Sequence, residues 1–541
     1  MAQRRRSLFI LPVLVLAGSI MGGFYGPRID VASAAAPVDD PDQRETETLK
    51  KVLTVVNENF AERPSADKTI YKGAIPGMLR TLDPHSNFFD PHEFQLMRED
   101  QKGHYYGVGM QVGPQPDGKT AVKVPFPGFP AYKVGLRPGD VIMAVNDKSC
   151  EGLNTTEIAD MLKGPRGTNV KIAVSRQGAP DYMVFNVVRD EIERKSVQDA
   201  FWIKPGVAYM KILSFTETTS HEMEENLRRL GESNLKGLVL DLRDNPGGLL
   251  NEGVAVADHF LPKNSLIVSH KGRAAPEKAY IARNGNHGRE YPMVVLVNRF
   301  SASAAEIVSG ALQDHDRALI LGETTFGKGL VQTVYEDHVG QHTGLALTWA
   351  HFYTPSGRLI QRDYSNKSFY DYYVHRDENT RNPVDVKTTD GGRTVYGGGG
   401  ITPDEKYDTG KLDRLQAELF RFGLFDFTSS YFGTHTTKLP AGWMPDDQVI
   451  AELKQFMDKR VTSKGLPPFP AAEWTKDHDW IKRYLAKEMY TTAFDVDASD
   501  AMFSRTDPEV AKAVEDLPKA SSLIETVKKI TAQRLKAQQP Q

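Results

Sequence analysis

Residues 196–404 alternate between segments typical of strands and segments typical of helices, and this alternation constrains the fold more than any other feature. The strand-like segments are "GVAYMKILSF", "GLVLDLR", "MVVLVN" and "ALILGE", and segments such as "TSHEMEENLRRL" and "AAEIVSGALQD" have helical spacing. Repeated strand-helix-strand units favour a largely parallel sheet. The segment "GLVLDLR" is almost wholly apolar, which predicts a strand buried on both faces. Sites in such sheets collect at the carboxyl ends of the strands.

One segment at those strand ends, "NRFSASAAEIVSGALQDHDRALILGETTFGKGLVQ" at residues 298–332, has three interpretations. The first is a phosphate-binding loop, because Gly322 to Lys328 satisfies G-x-x-x-x-G-K. However, Gly329 stands where that loop needs a serine or threonine to hold Mg²⁺. The following "LVQTVYE" alternates as a strand does, whereas a phosphate loop needs the N-terminus of a helix there. The phosphate-loop interpretation is therefore rejected.

The second interpretation is purely structural. Ser303 and Glu306 fit the capping box S-x-x-E, in which the serine caps a helix and the glutamate reaches back to the first backbone N–H. A serine in that position needs no catalytic role to account for it, and the same is true of Ser301.

The third interpretation makes Ser303 a nucleophile and Lys328 its base. A serine hydroxyl needs a base to take its proton, and a lysine can be that base if burial lowers its pKa toward neutrality. Gly327 and Gly329 flank the lysine and allow close backbone approach. Gln332 follows at i+4, which is the same face of a strand, and can hydrogen-bond the amine.

Backbone N–H groups near Ser303 form a candidate oxyanion site. Ala304 would begin a helix, whose dipole favours negative charge at that end. Gly247 or Gly248, after the neighbouring strand, could supply the second N–H. On these residues alone, the structural and the catalytic interpretations of Ser303 both stay open.

Residues 104–190 differ from the rest in having short strands separated by glycine turns. The sequence Gly107-Val108-Gly109-Met110 resembles the carboxylate-binding loop of a PDZ domain, and "GLRPGDVIMAVN" resembles that domain's most recognisable strand. N–H groups at such a loop can hold a terminal carboxylate, and the adjoining strand edge can accept an extended peptide. An unrelated small β-domain is the alternative.

As a set, the segments resemble the C-terminal processing peptidases, also called tail-specific proteases. Besides the serine-to-glutamine segment, the matches are "GMLRTLDPHSNFFDPHEF", "LVLDLRDNPGGLL", "TPSGRLIQ" and "GGGGITPD". The resemblance implies a PDZ domain before a catalytic domain of the crotonase and Clp-peptidase fold, and no cofactor. It also implies that Ser303 is the nucleophile, Lys328 the base and Gln332 the residue that orients the base. Ala305 departs from the family pattern, which often has a third serine there, but that position is not the nucleophile.

The chain is therefore expected to be a multidomain α/β protein with helical regions at both ends. We predict a signal peptide or membrane anchor at residues 1–36, an N-terminal helical region at 44–101, the PDZ domain at 104–190, the peptidase domain at 196–404 and a helical extension at 405–541. The N-terminus has three arginines, an apolar stretch and then small residues. This pattern predicts export to the periplasm, with a cleaved signal and a retained inner-membrane anchor both open.

Two functions are consistent with these features. The first is an exported serine endopeptidase that recognises unstructured protein C-termini through its PDZ domain. The alternative is a non-catalytic PDZ scaffold that binds the C-termini of envelope proteins. Expected partners are protein or peptide substrates, further copies of the chain through the terminal helices, and an adaptor protein. The formal charge of −3 argues against a nucleic-acid binder.

Overall fold

The computed structural model describes residues 41–65, 67–115, 117–365, 367–374, 382–408, 410–435, 438–440 and 442–538. The predicted signal or anchor at residues 1–36 lies outside the described residues. Within the described ranges, no helix is both long enough and apolar enough to cross a membrane. The chain divides into two compact units, Met1–Met78 and Leu79–Gln541.

The described part of the first unit is helical, in keeping with the predicted N-terminal helical region. It contains the helix Pro41–Asn59 and a π-helical segment, Asp67–Ala74, that leads into the helix Ile75–Arg80. Apolar side chains of the first helix and of the residue after it are exposed, among them Leu49, Val52, Val55 and Phe60.

Residues 104–193 form a small antiparallel β-domain with the glycine-punctuated strands that the sequence predicts. Its strands, in spatial order, are Met110–Pro114, Thr120–Pro125, Val141–Val145, Asn169–Ser175 and Met183–Val188, with Lys148–Ser149 paired to Val141–Val145. The domain also contains the helices Pro130–Lys133 and Thr155–Leu162 and a ribbon formed by His104–Gly107 and Asp190–Glu193. Met110–Pro114 lies at the edge of the sheet, where an extended peptide can add a strand.

The largely parallel sheet predicted for residues 196–404 is confirmed. Its strands, in spatial order, are Val197–Lys204, Val207–Ile212, Gly237–Asp241, Met293–Val297, Leu319–Gly322 and Glu405–Lys406. The first pair is antiparallel and all other neighbours are parallel. The helices that alternate with these strands are Thr219–Leu230, Leu250–Phe260 and Ala304–Asp314, and a short 3₁₀ turn spans Glu232–Asn234.

A second, antiparallel sheet brings a strand from before the PDZ-like domain to the catalytic region. Its strands, in order, are Asn87–Phe89, Gly344–Tyr353, Leu266–Lys271 and Lys278–Ile281, with Leu330–Glu336 also paired to Gly344–Tyr353. The remaining elements of this region are the helices Pro91–Lys102 and Phe369–Val374 and the hairpin Asn382–Thr388 with Thr394–Gly397.

The C-terminal extension is helical, as predicted. Its segments are Arg414–Glu418, the π-helical Leu419–Gly423, Leu424–Thr434, Asp447–Ser463, Ala471–Lys476, His478–Ala493, Val496–Arg505, Pro508–Glu515 and Leu517–Gln538. The first six pack around a core of their own.

The parallel sheet is covered on both faces, as the apolar run "GLVLDLR" predicts. Leu238 and Leu240 pack into the core that contains the three alternating helices. Val239, which points to the opposite face, packs into a core with Val510 and Leu517 of the last two helices. The C-terminal extension therefore supplies the second helical layer of the catalytic domain.

Candidate active site

Ser303 lies at the start of the helix Ala304–Asp314, in a strained turn. Its backbone has φ 53° and ψ −114°, a region that residues other than glycine rarely adopt. The turn is held by Ser301, whose hydroxyl donates to the Leu242 carbonyl at 2.7 Å and accepts from the Asn298 N–H at 2.9 Å. Strained backbone persists only where surrounding contacts hold it, and it occurs most often at functional sites.

The carboxylate of Glu306 ties the serine and lysine segments together. It accepts hydrogen bonds from the N–H groups of Ser303 at 2.9 Å, Gly327 at 2.6 Å and Lys328 at 2.9 Å, and from the Thr325 hydroxyl at 2.6 Å. Burial raises the pKa of Glu306, and these donors offset part of the rise. The glutamate half of the predicted capping box is therefore present, and the same carboxylate fixes the backbone of the candidate base.

Lys328 is half-buried and lies beside Gln332. Its Nζ donates to Gln332 Oε1 at 3.0 Å, which is the predicted contact. Burial lowers the pKa of Lys328, whereas the charges of Asp83 and Glu306 act in the opposite direction. Lys328 lies just before the strand Leu330–Glu336, so the contact does not require both residues to share a strand.

Ser303, Lys328 and Gln332 line one cavity of about 1250 Å³. Phe126 and Phe129, from the turn beside the PDZ-like loop, line the same cavity. Within the part of the chain that the structure describes, no hydrogen bond joins Ser303 Oγ to Lys328 Nζ, and the amine is instead bonded to Gln332. The three predicted residues therefore share one cavity, but the hydrogen bond between Ser303 and Lys328 is not formed.

Gly247 lies directly against the serine. A Cβ at Gly247, whose φ is +95°, would stand 2.6 Å from Ser303 Cβ and 2.9 Å from the Ala304 nitrogen, so only glycine fits there. The N–H of Gly247 donates to Asn245 Oδ1 at 2.8 Å. Of the two glycine amides predicted for the oxyanion site, that of Gly247 is therefore already engaged. Gly248 and Ala304 remain the candidates.

The predicted carboxylate-binding loop runs from the ribbon into the edge strand and comprises Gly107, Val108, Gly109 and Met110. The carbonyl oxygens of Val108 and Gly109 accept hydrogen bonds from the N–H groups of Ala131 at 2.8 Å and Phe126 at 2.9 Å. These bonds fix the peptide planes of the loop, and hence the directions of the N–H groups that would meet a carboxylate.

The reactive groups of the site are one hydroxyl and one buried amine. An amine in its neutral form can accept the proton of a hydroxyl and so activate it as a nucleophile. The described residues contain no group of three or more His, Cys, Asp and Glu side chains that could hold a metal ion.

Comparison with known proteins identifies the family. The model of peptidase family S41 matches residues 206–366, and the PDZ domain model matches residues 122–176. The carboxy-terminal-processing protease of Bartonella bacilliformis is 39% identical over 302 residues, which is 54% of this chain and 68% of that protein. The chain belongs to this family.

This carboxy-terminal processing protease is a serine peptidase with a PDZ domain. CtpB of Bacillus subtilis, named a carboxy-terminal processing protease, is 30% identical over 364 residues, or 64% of this chain and 75% of that protein. Among solved structures, the photosystem II D1 C-terminal processing protease is 29% identical. That match covers 66% of this chain and 86% of the other, with a TM-score of 0.35.

Two residues of the protease site have contacts that the sequence did not predict. Glu306 was expected only as a helix cap, yet it also binds the backbone of Lys328. The carbonyl of His85 accepts a hydrogen bond from Gln332 Nε2 at 2.7 Å. His85 is far from Gln332 in sequence, so no spacing rule links them, and its only signal was its place in the segment "LDPHS".

Proposed function

We propose that this protease is an exported endopeptidase that recognises unstructured C-terminal tails through its PDZ domain and cleaves by a Ser303–Lys328 acyl-enzyme mechanism. The observation that carries the proposal is the position of the half-buried Lys328 in one cavity with Ser303, with its amine held by Gln332. Burial lowers the pKa of Lys328, which increases the share of neutral amine that can act as a base.

Acylation begins when the Lys328 amine, oriented by Gln332, approaches Ser303 within the cavity. The neutral amine takes the hydroxyl proton as Oγ attacks the scissile carbonyl carbon, and the carbonyl oxygen becomes an oxyanion. The N–H groups of Ala304 and Gly248 stabilise that oxyanion. The helix that begins at Ala304 adds the positive end of its dipole.

The remaining steps complete acylation and then restore the Ser303 hydroxyl and the Lys328 amine. The tetrahedral intermediate collapses as the C–N bond breaks, and the Lys328 ammonium gives its proton to the leaving amine. The N-terminal part of the substrate stays on Ser303 as an ester. A water then attacks the ester while Lys328 accepts its proton. As the C–Oγ bond breaks, the Lys328 ammonium returns that proton to Ser303 Oγ, which releases a new C-terminus and regenerates the hydroxyl and the neutral amine. These steps use no metal or nucleotide.

The PDZ domain is proposed to present the substrate tail. The loop at residues 107–110 would bind the terminal carboxylate, while the tail pairs with the edge strand Met110–Pro114. Phe126 and Phe129 lie beside that loop and also line the catalytic cavity. Their position supports an apolar path from the bound terminus to Ser303.

Turnover of a quenched fluorescent peptide with an apolar C-terminal tail tests the proposal. We expect Ser303→Ala and Lys328→Ala to abolish cleavage while the proteins stay folded by circular dichroism. Ser309→Ala is the matched control, because it removes a buried hydroxyl from the same helix, where that hydroxyl donates to the Ala305 carbonyl. Cleavage by either test variant would contradict the assignment of Ser303 and Lys328 as the catalytic dyad. Tail binding without turnover by the wild-type protein would favour the PDZ scaffold instead.

The fold of the catalytic domain is proposed to be of the crotonase and Clp-peptidase type. The parallel strands alternate with helices, and Gly248 and Ser303 follow two neighbouring strands at their carboxyl ends. A superposition of the parallel sheet and its helices on crotonase-fold enzymes tests this assignment. A different strand order would contradict it.

Export is proposed from the N-terminal sequence alone. Three arginines, the apolar residues 8–25 and the small residues 31–36 form the pattern of a signal or anchor. An alkaline phosphatase fusion placed after residue 45 should be active in an export-competent cell. An inactive fusion beside an active cytoplasmic reporter fusion would contradict export.

Self-association through the terminal helices is also proposed. The helix Pro41–Asn59 exposes Leu49, Val52 and Val55, and contiguous exposed apolar side chains often mark a protein contact. Light scattering should give a mass above that of one chain, which falls on Val52→Glu substitution. A wild-type monomer would contradict self-association. An adaptor would be sought by crosslinking in cells.

A further inference from the structure

We propose that His85 is a positioning residue for the general base. Its carbonyl sets the orientation of the Gln332 amide, and its ring, held among aromatic side chains, limits access of water to the surroundings of Lys328. The inference rests on the proposed Ser303–Lys328 chemistry and adds a residue from the segment that precedes the PDZ domain.

The turn that carries His85 is rigid. The buried Asp83 carboxylate accepts from the N–H groups of His85 at 2.7 Å and Ser86 at 2.8 Å, and from the Ser86 hydroxyl at 2.6 Å. The Ser86 hydroxyl accepts in turn from the Thr348 N–H at 3.2 Å. The next residues form the strand Asn87–Phe89, which is paired to the catalytic domain. The His85 carbonyl is therefore fixed relative to the catalytic residues.

That carbonyl decides which end of the Gln332 side chain faces the lysine. The amide nitrogen donates to His85 O at 2.7 Å, and the amide oxygen accepts from Lys328 Nζ at 3.0 Å. If the amide were inverted, its oxygen would face the oxygen of the His85 carbonyl, neither could donate, and that hydrogen bond would be lost. The Asp83-held turn thus keeps an acceptor on the lysine.

The hydrogen bonds of the His85 ring are compatible with a neutral tautomer that carries its proton on Nδ1. Gln361 Nε2 donates to the Tyr372 hydroxyl at 3.3 Å, so that hydroxyl is free to donate to His85 Nε2 at 2.9 Å. The Tyr373 hydroxyl donates to the Pro84 carbonyl at 3.0 Å, so it can accept from His85 Nδ1–H at 3.3 Å. Both ring nitrogens are satisfied with one proton on Nδ1, and a second proton would face the hydrogen of Tyr372.

Aromatic rings enclose the imidazole. Phe326, Tyr372 and Tyr373 meet it edge-on, with ring centroids 6.1, 5.4 and 6.0 Å away. The Arg362 guanidinium lies over two of those rings, 4.6 Å from the centroid of Phe326 and 4.2 Å from that of Tyr372. This packing holds the His85 ring in one place, close enough to Lys328 to feel its charge.

Burial, more than the charges facing His85, keeps its ring neutral near pH 7. Burial lowers its pKa to about 3, and the charges of Lys328 and Arg362 act in the same direction, while Asp83 opposes them. Because the ring carries no charge near pH 7, a change in pH around that value does not alter its electrostatic effect on Lys328. We therefore expect its effect on the base to come from excluded water and fixed geometry.

The test is the pH dependence of kcat/KM for the full-length protein on a tailed peptide. His85→Ala opens space for water beside Lys328, which favours the charged amine. We expect the acid limb of the profile to move up by about one pH unit, with about a tenfold loss below that limb and recovery at high pH. Tyr372→Phe keeps the ring but removes the hydroxyl that bonds His85 Nε2 and accepts from Gln361 Nε2, and it should give a smaller shift in the same direction. The exposed Tyr370, on the same helix, provides the matched control Tyr370→Phe, which should keep the wild-type profile.

The outcomes separate the two proposals. A loss of rate by the same factor at every pH, or an unshifted limb in both His85→Ala and Tyr372→Phe, would overturn the role of the His85 ring while the wild-type enzyme still cleaves. If the wild-type enzyme and Ser303→Ala give equal rates, the proposed mechanism itself fails. Tyr372→Phe preserves the ring packing, so it gives a result even if His85→Ala does not fold.

Discussion

Replacing Gln332 by glutamate would add a negative charge next to the proposed base without changing the length of the side chain. The present amide oxygen lies 3.0 Å from Lys328 Nζ. Two unit charges at that separation attract by about 5.5 kcal/mol at an effective dielectric constant of about 20. Removing the new carboxylate from water costs several kcal/mol, so we expect a net stabilisation of the charged lysine by about 3 kcal/mol.

A stabilisation of that size leaves about 100-fold less neutral amine below the pKa of the lysine, since about 1.4 kcal/mol is a factor of ten. We expect kcat/KM of Gln332→Glu at pH 7 to fall by about that factor and to recover as pH rises. Gln332→Met is the matched control because it has similar length and no charge. It loses the hydrogen bond to the amine, so its rate should fall without an upward shift of the acid limb. An acid limb of Gln332→Glu at or below that of the wild type would refute the assignment of Lys328 as the base.

Three further substitutions test the surroundings of the dyad. Glu306→Gln replaces an acceptor of three N–H groups by an amide whose NH₂ must face some of them, so we expect a loss of about 2–4 kcal/mol in the free energy of unfolding, measured by urea denaturation. Gly247→Ala would put a Cβ 2.6 Å from Ser303 Cβ, so peptide turnover should fall at least about 100-fold, and wild-type turnover would contradict the close approach. Lys328→Met should raise the melting temperature at pH 7. Burial lowers the pKa of Lys328 below the ordinary 10.5. Above pH 10.5 the lysine is neutral in both the folded and the unfolded protein, so its burial costs no stability. As pH falls through the lowered value, the folded protein must bury a charge and loses that stability. The gain should therefore shrink as pH rises toward 10.5, and an equal gain at every pH would contradict it.

Much of the catalytic domain could be predicted because its signals are local. The helix predicted from "AAEIVSGALQD" occupies Ala304–Asp314, and the strand predicted from "LVQTVYE" occupies Leu330–Glu336. The contact between Lys328 and Gln332 was predicted from their spacing and is present, although the lysine precedes the strand. Residues close in sequence leave few conformations to choose from, so spacing carries information about contact.

The remaining features depend on tertiary packing, which a local pattern does not encode. Nothing in the sequence says that Asn245 engages the N–H of Gly247 and so leaves Gly248 as the candidate for the oxyanion. Gln332 and His85 are in contact although the whole PDZ domain lies between them in the sequence. Glu306 fits a helix cap on spacing alone, and only the folded chain brings Lys328 within its reach.

The helical layer formed by the last two helices determines at what stage of synthesis the catalytic domain of this protease can fold. Until residues 508–538 have been synthesised, Val239, Leu296 and Leu321 lack the cover that Val510, Ala513, Leu517 and Ala520 give to that face of the sheet. A nascent chain that already contains both the nucleophile and its base is thus an unfinished domain with an apolar surface facing water. Completion of the C-terminus would therefore time the onset of proteolysis, and an expression clone ending near residue 404 would aggregate rather than give a minimal protease.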